Sequence, residues 1–250
     1  MTSSSLLEGK VAIVAGGSGG IGAATSRRLA AEGARIVVGY RSSRDNAEAI
    51  CAALPGEGHL PLAVTIEDST SIAGFRDAVL EATGRADILV NTAGMTVPVA
   101  HDDLDALTDE LIDEVFANNW RGVFATIRAF RPALAATGDG LVVNVSSIAA
   151  FTAIGSSIAY CSAKAGLDIM SEALARALAP EIRVVAVSPG VVDTRFVPGR
   201  DAAFNAKVAQ STPLGRVTTP DDVAAAIAAC ATHLRFTTGS RIVVDGGRHL

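Results

Sequence analysis

The sequence predicts an α/β fold, a single domain built on a parallel sheet of seven strands that is doubly wound, with helices on both faces. Three observations lead to this prediction. Short apolar segments of strand character alternate with segments of helical periodicity along the chain. The first strand runs directly into a glycine-rich turn and a helix. Polar or glycine-containing motifs follow the first, fourth, fifth and sixth strands, and a parallel sheet gathers such motifs at one edge.

The expected elements follow in order. Strands are predicted at 10–15, 35–39, 60–65, 87–90, 141–145, 182–187 and 241–244. Helices are predicted at 23–31, 45–54, 69–82, 108–136 and 158–179. The alternation lapses between 191 and 220, where prolines and glycines flank one short helix near 201–210. Such an insertion is either a disordered connector or a lid, and ordered lids are common over a site that must exclude water, so we expect 191–220 to be a substrate lid within a single domain, 1–250.

Composition excludes several classes of function. The 250 residues carry a formal net charge of −5, which disfavours a nucleic-acid partner because such partners require a basic face. No run approaches the ~18 apolar residues of a membrane helix, and the N-terminus lacks the features of a signal peptide. The three cysteines and four histidines are scattered, so no metal site is expected. We expect a cytoplasmic protein that is not attached to a membrane.

Glycines dominate the turn after the first strand. Gly17-x-Gly19-x-x-Gly22 matches the Rossmann-type fingerprint, and Gly16-x-x-x-Gly20-x-Gly22 is a second, overlapping spacing. Glycine lets the backbone approach a pyrophosphate, and the N-terminus of the following helix supplies N–H donors and a positive dipole. Between a strand and a helix, this pattern favours nucleotide binding over a purely structural turn.

The end of the second strand predicts which dinucleotide is bound. A carboxylate there would accept a hydrogen bond from the 2′-hydroxyl of NAD, whereas an arginine suits the 2′-phosphate of NADP. The chain has Tyr40-Arg41-Ser42-Ser43-Arg44, with no acid before Asp45. This favours NADP, and NAD is the alternative.

Tyr160 and Lys164 lie four residues apart on a predicted helix and therefore share one face. Free tyrosine titrates near ~10, and a fixed ammonium nearby would lower its pKa towards working pH. Ser147, just past the fifth strand, would be placed to hold a carbonyl or hydroxyl oxygen. Tyr-x-x-x-Lys alone is common by chance, and a partly exposed tyrosine beside a surface lysine is the alternative interpretation.

Together these motifs resemble the short-chain dehydrogenase/reductase family over about residues 9–247. The matching motifs are Gly16-x-x-x-Gly20-Ile21-Gly22, Asn91-Thr92-Ala93-Gly94, Asn119-x-x-Gly122, Ser147, Tyr160-x-x-x-Lys164 and Pro189-Gly190-x-x-x-Thr194. The resemblance implies hydride transfer between a nicotinamide and a small carbonyl or alcohol substrate. The leading interpretation is NADPH-dependent reduction of a ketone or a 3-oxoacyl group. The alternatives are an NAD-dependent secondary alcohol or sugar dehydrogenase and an inactive NADP-binding sensor.

The resemblance also implies roles for individual residues. Tyr160 would be the general acid and base, Lys164 would lower its pKa and hold the nicotinamide ribose, Ser147 would orient the substrate oxygen, and Asn119 would hold a water that links Lys164 to solvent. Asp87 resembles the residue that steadies the adenine side. The cofactor is expected to contact Gly16, Ser18, Gly20, Ile21, Gly22, Tyr40, Arg41, Ser42, Ile66, Asn91, Ala93, Gly94, Tyr160, Lys164, Pro189, Gly190, Val192 and Thr194.

The sequence departs from the family pattern at several positions. Thr92 replaces an asparagine, and Thr65 stands where an aspartate usually follows the third strand. Gly19 occupies a position that is basic in many NADP-binding members, which weakens the NADP prediction, although Arg41 still supports it. Members of the family commonly form tetramers through the two long helices, so we expect a homo-oligomer, either a tetramer or a dimer.

Overall fold

The structure is a computed structural model and describes residues 5–250, so the first four residues of the expected domain and N-terminal segment lie outside the described residues. The strands are β1 (Val11–Ala15), β2 (Arg35–Tyr40), β3 (Leu60–Ala63), β4 (Ile88–Asn91), β5 (Gly140–Val145), β6 (Ile182–Pro189) and β7 (Arg241–Val244). The helices are α1 (Gly20–Ala31), α2 (Arg44–Ala53), α3 (Ser69–Thr83), α4 (Asp109–Phe116), α5 (Gly122–Ala135), α6 (Ala149–Thr152), α7 (Ile158–Leu178), α8 (Ala202–Gln210) and α9 (Pro220–Thr232).

The seven strands form one parallel sheet in the order β3-β2-β1-β4-β5-β6-β7. This confirms the predicted fold class, a single doubly wound α/β domain. The strand order reverses direction between β1 and β4, and ligands of such sheets bind beyond the carboxyl ends of the strands at this point. No helix within residues 5–250 is both long and apolar enough to cross a membrane.

Two apolar layers cover the two faces of the sheet. Alternate residues of β1 point to opposite sides, so Ala12 and Val14 belong to one layer and Val11 and Ile13 to the other. The first layer includes residues of α1, α2 and α9, and the second includes residues of α3, α5 and α7. The central strands are therefore buried on both faces, which explains why they are apolar throughout rather than alternating.

The predicted helix over 108–136 is not continuous. Thr108 caps α4 by accepting a hydrogen bond from the Leu111 amide, and a π-helical turn over Ala117–Arg121 separates α4 from α5. Such turns often occur at functional sites because they turn one side chain away from the regular helical face. Here the turn contains Asn119, and its side chain is directed towards the backbone carbonyl oxygen of Met95.

The ends of β1 and β4 are held together directly. The Ala15 carbonyl oxygen accepts hydrogen bonds from the Thr92 and Ala93 amides at 2.9 and 2.8 Å and from the Thr92 hydroxyl at 2.9 Å. Gly16 follows with a φ of +88°, and a Cβ there would lie 2.6 Å from the Ala93 nitrogen. Only glycine fits this position, which explains the start of the glycine turn.

Asp87 lies at the amino end of β4, so the expectation that it steadies the adenine side of a cofactor is wrong. Its carboxylate accepts hydrogen bonds from the Val11 amide at 2.9 Å, from Lys10 at 3.2 Å and from Arg85 at 2.6 Å. Burial alone would raise the pKa of Asp87, but these hydrogen bonds outweigh it and hold the pKa below its usual value. The residue ties β1 to β4 at the edge opposite the strand ends that carry the motifs.

We expect Asp87→Ala to lower the free energy of unfolding by roughly 2–3 kcal/mol, because it leaves the buried Val11 amide without its acceptor. Urea denaturation measures this change, and Asp77→Ala, which removes a mostly exposed acid, should change the value by less than about 0.5 kcal/mol. The pKa is lower in the folded state, so the contribution of Asp87 is present above ~3.9, the unfolded pKa, and is lost as the pH falls further. A difference between the wild type and Asp87→Ala that does not shrink on acidification would contradict this assignment.

Candidate active site

A cleft of about 1120 Å³ opens at the carboxyl edge of the sheet. The glycine turn, the ends of β4, β5 and β6, the start of α7 and the segment after β6 contribute to its walls. The predicted site residues that line it are Gly16, Gly20, Ile21, Gly22, Gly94, Ser147, Tyr160, Lys164, Pro189, Gly190, Val192 and Thr194. Motifs that are far apart in the sequence therefore share one cavity, as the parallel topology predicts.

Ser147, Tyr160 and Lys164 meet on the floor of this cleft. Ser157 begins α7 by accepting a hydrogen bond from the Tyr160 amide at 3.2 Å, which places the Tyr160 ring in the first turn. The Ser147 hydroxyl, which accepts from the Ala149 amide at 3.1 Å, lies close enough to the Tyr160 phenol to act on its pKa. The Lys164 ammonium lies 5.7 Å from the centroid of the Tyr160 ring and donates to the Val145 carbonyl oxygen at 2.9 Å.

The pKa of Tyr160 shifts in the direction opposite to the prediction. Burial raises the pKa of Tyr160 to about 12, although the Ser147 hydrogen bond and the Arg200 guanidinium both act to lower it. The sequence-based prediction rested on a Lys164 ammonium in the same space as the phenol. In the structure the ammonium bonds to Val145 at the end of β5 instead. Tyr160 is thus a protonated phenol at neutral pH, half-buried and accessible from the cleft.

Lys164 is almost completely buried, with 4% of the residue exposed. Burial lowers the pKa of Lys164 to about 8, and the Asp168 carboxylate one turn further along α7 limits this fall. Asp168 is itself buried and lies 2.7 Å from the Arg241 Nε. The ammonium therefore remains mostly charged at neutral pH, with a carboxylate behind it and the cleft in front.

Asn119 is fully buried and does not line the cleft. Its Nδ2 donates to the carbonyl oxygens of Met95 at 2.8 Å and Val115 at 2.9 Å, whereas its Oδ1 has no hydrogen-bond partner within residues 5–250. A Cβ at Gly94 would lie 2.7 Å from this oxygen and 3.9 Å from the Lys164 Nζ. The unpaired acceptor and the ammonium thus flank the same glycine, an arrangement that suits a hydrogen-bond donor between them.

The side chain of Asn91 faces the sheet rather than the cleft. It donates to the Asn144 Oδ1 at 2.9 Å, and Asn144 donates in turn to the Ser171 hydroxyl at 2.9 Å. The side chain of Asn91 therefore joins β4 to β5, and the contact of this residue with a cofactor stays a prediction. Its neighbour Ala93, which bonds the end of β1, lies outside the cleft lining as well.

The residues predicted to contact the adenosine ribose of the cofactor lie beside the cleft, around the ends of β2 and β3. Arg41 is 63% exposed, and its Nη1 lies 3.5 Å from the Glu67 Oε1. Sequence reasoning missed Glu67, because no motif marks it and only folding brings it next to β2. The other residues expected to contact the cofactor that do not line the cleft include Ser18, Tyr40, Ser42 and Ile66.

The segment expected to form a lid is ordered and covers one side of the cleft. Val192 pairs with Thr218 across its base, and Asp201 begins α8 by accepting from the Phe204 amide at 2.8 Å. The Phe196 ring lies 6.2 Å from the Tyr160 ring. Arg200 also lines the cleft and was missed, because an irregular segment without a motif offers no signal for its position.

The glycine turn fits the diphosphate of a dinucleotide. No side chain caps the N-terminus of α1, and its first turn contains no acid, so its amides and dipole are available to an anion. The backbone at Gly20 lies close to Thr194 on the opposite wall of the cleft, since a Cβ on this glycine would lie 2.7 Å from the Thr194 Cγ2. Within residues 5–250 no group of three or more His, Cys, Asp or Glu side chains could hold a metal ion.

Comparison with known proteins agrees with this geometry. Residues 15–249 match a family model described as enoyl-(acyl carrier protein) reductase. The chain is 40% identical over 245 residues to "Granaticin polyketide synthase putative ketoacyl reductase 2" of Streptomyces violaceoruber, covering 97% of each chain. It is 36% identical over 243 residues to cis-4-hydroxycyclohexanecarboxylate dehydrogenase of Sinomonas cyclohexanicum, covering 95% and 96%. A solved dehydrogenase/reductase from Sinorhizobium meliloti superposes with a TM-score of 0.89 at 34% identity, covering 99% and 98%.

The pKa of Tyr160 can be measured because the chain has only two tyrosines. With tyrosine labelled at Cζ with carbon-13, we expect the Tyr160 resonance, assigned by its loss in Tyr160→Phe, to stay that of a neutral phenol from pH 7 to about pH 11 in protein without added nucleotide. Ser147→Ala should delay its titration further, because it removes a hydrogen bond that lowers the pKa. Titration below pH 10 would show that burial does not control this group.

Proposed function

Because this chain belongs to the short-chain dehydrogenase/reductase family, whose nicotinamide-dependent oxidoreductases act on carbonyl and alcohol groups, we propose that it is an NADPH-dependent reductase of ketones or 3-oxoacyl groups. The observation that carries the proposal is that Ser147, a protonated Tyr160 phenol and Lys164 line one cleft, with the Lys164 ammonium 5.7 Å from the centroid of the tyrosine ring. A half-buried, neutral tyrosine that is accessible from the cleft can donate a proton to the oxygen of a carbonyl as it is reduced.

The chain's residues hold the two ends of the cofactor in this proposal. The backbone of Gly16, Gly20 and Gly22 and the start of α1 would hold the pyrophosphate, while Pro189 and Thr194 would enclose the nicotinamide. Bound NADPH would supply the hydride that reaches the carbonyl carbon. The protein supplies position, charge and the proton.

The proton reaches the substrate in one step. The Ser147 hydroxyl donates a hydrogen bond to the carbonyl oxygen and orients it beside Tyr160. As the oxygen gains negative charge, the Tyr160 hydroxyl transfers its proton to it, which forms the alcohol and leaves a phenolate. The Lys164 ammonium stabilises that phenolate, since an opposite charge nearby favours the ionised form. Oxidation of an alcohol runs through the same positions in reverse.

Asn119 supports the return of the proton. Its buried Oδ1 lacks a partner within the described chain and flanks Gly94 together with Lys164. We infer that this oxygen holds a water that connects the Lys164 ammonium to solvent, so that the tyrosine regains its proton after each turnover. The segment 191–220 would exclude bulk water from the reacting atoms, with Phe196 above the Tyr160 ring.

The choice of NADPH rests on Arg41. Its guanidinium is exposed at the end of β2 and is available to a 2′-phosphate. The ketoacyl reductase named among the relatives supports the direction of reduction.

The alternative is an NAD-dependent dehydrogenase of a secondary or sugar alcohol. Glu67 favours it, because its carboxylate lies 3.5 Å from Arg41 and would accept a hydrogen bond from a free 2′-hydroxyl while opposing a phosphate. A relative named for the oxidation of a cyclic hydroxy acid is also in keeping with this alternative.

A homo-oligomer is the expected state of assembly. Ile169, on the long helix α7, is 64% exposed, and an exposed apolar side chain there suits contact with a second copy.

We expect the wild type to bind NADPH more tightly than NADH, and Arg41→Ala to weaken NADPH binding about 10- to 100-fold while leaving NADH unchanged, because only NADPH has the 2′-phosphate. Nucleotide fluorescence titration measures both affinities, and Arg76→Ala, on the outer side of α3, is the matched control. An NADH preference that is unaffected by Arg41→Ala but lost in Glu67→Gln would establish the alternative.

Tyr160→Phe should lower kcat for ketone reduction by about 100- to 10,000-fold, the usual contribution of a general acid. The phenyl ring keeps the packing of α7, so nucleotide affinity should remain within about twofold of the wild type. Turnover of ketones and 3-oxoacyl thioesters is followed by the loss of NADPH absorbance. Undiminished turnover in this variant would remove the assignment of Tyr160 as the acid.

A further inference from the structure

The charged groups that line the cleft are all of one sign. Within residues 5–250 its charged lining comprises Lys164, Arg195, Arg200 and Arg248 and includes no aspartate or glutamate. The whole chain, by contrast, has a formal net charge of −5. The cleft is thus a basic pocket in an acidic protein. Lys164 has a role in the proposed reaction, whereas the three arginines have none.

Arg200 lines the cleft just before α8 begins. Its guanidinium stacks on the Phe204 ring, with Cζ 4.9 Å from the ring centroid, and its charge acts on the Tyr160 phenol. The adjacent Asp201 carboxylate bonds the Phe204 amide at the start of α8. Arg200 is half-buried and forms no ion pair with any acid in the described part of the chain.

Arg248 lines the same cleft and lies in the turn that follows β7. One of its nitrogens donates to the Ser211 hydroxyl at 2.9 Å, which fixes the arginine against the end of α8. It lies close enough to Arg200 for the two charges to repel, and this repulsion adds to burial in lowering the pKa of Arg200. Two half-buried guanidinium groups without a carboxylate are costly to bring together unless an anion is bound between them.

We propose that Arg200 and Arg248 form an anion subsite of the substrate pocket, so that the substrate is a ketone, or its alcohol, that carries a carboxylate. The inference rests on the proposed function, since Tyr160 marks the reacting end of the substrate and Arg200 lines the same cleft. Arginine is suited to the task because its planar fork binds a carboxylate through two parallel hydrogen bonds. The other source of an anion in this cleft is the cofactor's own pyrophosphate, and the experiment separates the two.

The first test measures binding without chemistry. The full-length protein is saturated with NADP⁺, or with NAD⁺ if that binds more tightly, so that a ketone is held but not reduced. 4-Oxopentanoate and 6-oxoheptanoate are then titrated calorimetrically, each against its methyl ester. We expect each acid that fits to bind at least about tenfold more tightly than its ester, because a hydrogen-bonded charge contributes that much.

Substitutions locate the effect. Arg200→Gln should weaken binding of the acid about 10- to 100-fold and leave the ester within about twofold, whereas Arg200→Lys should keep part of the preference. Arg27→Gln, which removes an exposed arginine of α1 outside the cleft lining, should change neither. Equal binding of acids and esters by the wild type, or equal losses for both in Arg200→Gln, would overturn the subsite. Weaker binding of the nucleotide itself in Arg200→Gln would assign the arginine to the cofactor and also overturn it.

Turnover with the reduced cofactor separates this inference from the proposed function. Arg200→Gln should raise KM about 10- to 100-fold for the oxo acid and by less than about twofold for the ester. Because the Arg200 charge also acts on Tyr160, any change in kcat should be equal for acid and ester, whereas equal increases in KM for both substrates would overturn the subsite. If acids bind through Arg200 but neither acids nor esters are reduced, the subsite stands and the proposed function fails. If neutral ketones are reduced and the acids show no advantage in binding, the proposed function stands and the subsite fails.

Discussion

All seven strands run in one direction, and this constraint decides where the chemistry occurs. Each loop that follows a strand's carboxyl end lies at the same edge, and the reversal of strand order between β1 and β4 opens that edge into a cleft. The Ala15 carbonyl, bonded to the backbone of Thr92 and Ala93, keeps the two central strand ends in contact. Gly16 then has room to turn only because it has no side chain. The nucleotide-binding turn and the catalytic floor are consequences of one topology.

Buried polar contacts hold α7 against the sheet below the reacting groups. The Lys164 ammonium is bonded to the end of β5, and a chain of hydrogen bonds runs from Asn91 through Asn144 to Ser171 of α7. Such networks are costly when incomplete and rigid when satisfied. They leave the Tyr160 ring little freedom to change its distance from Lys164. A proton donor requires such a fixed position, because its geometry must be set before the substrate arrives.

The electrostatics of the cleft combine two opposing effects. Burial keeps Tyr160 protonated and brings the pKa of Lys164 down to about 8, while the positive charges of Lys164 and Arg200 favour a phenolate once the proton has left. A neutral acid whose conjugate base is stabilised by fixed cations is suited to donating a proton and regaining it. The segment after β6 therefore contributes positive charge to the cleft through Arg200 as well as lining one of its sides.

The sequence by itself determined the strands, the glycine turn and the four-residue spacing of Tyr160 and Lys164, because these depend on local patterns of apolar residues and on helix geometry. The tertiary structure decided what depends on segments that are distant in sequence. It placed Asp87 at the opposite edge of the sheet, directed the Lys164 ammonium to a strand end, and brought Glu67 beside Arg41. The direction in which the pKa of Tyr160 shifts was also decided by the tertiary structure. Spacing indicates that a cation is near, but the burial of the phenol and the partners of that cation are known only once the whole chain has packed.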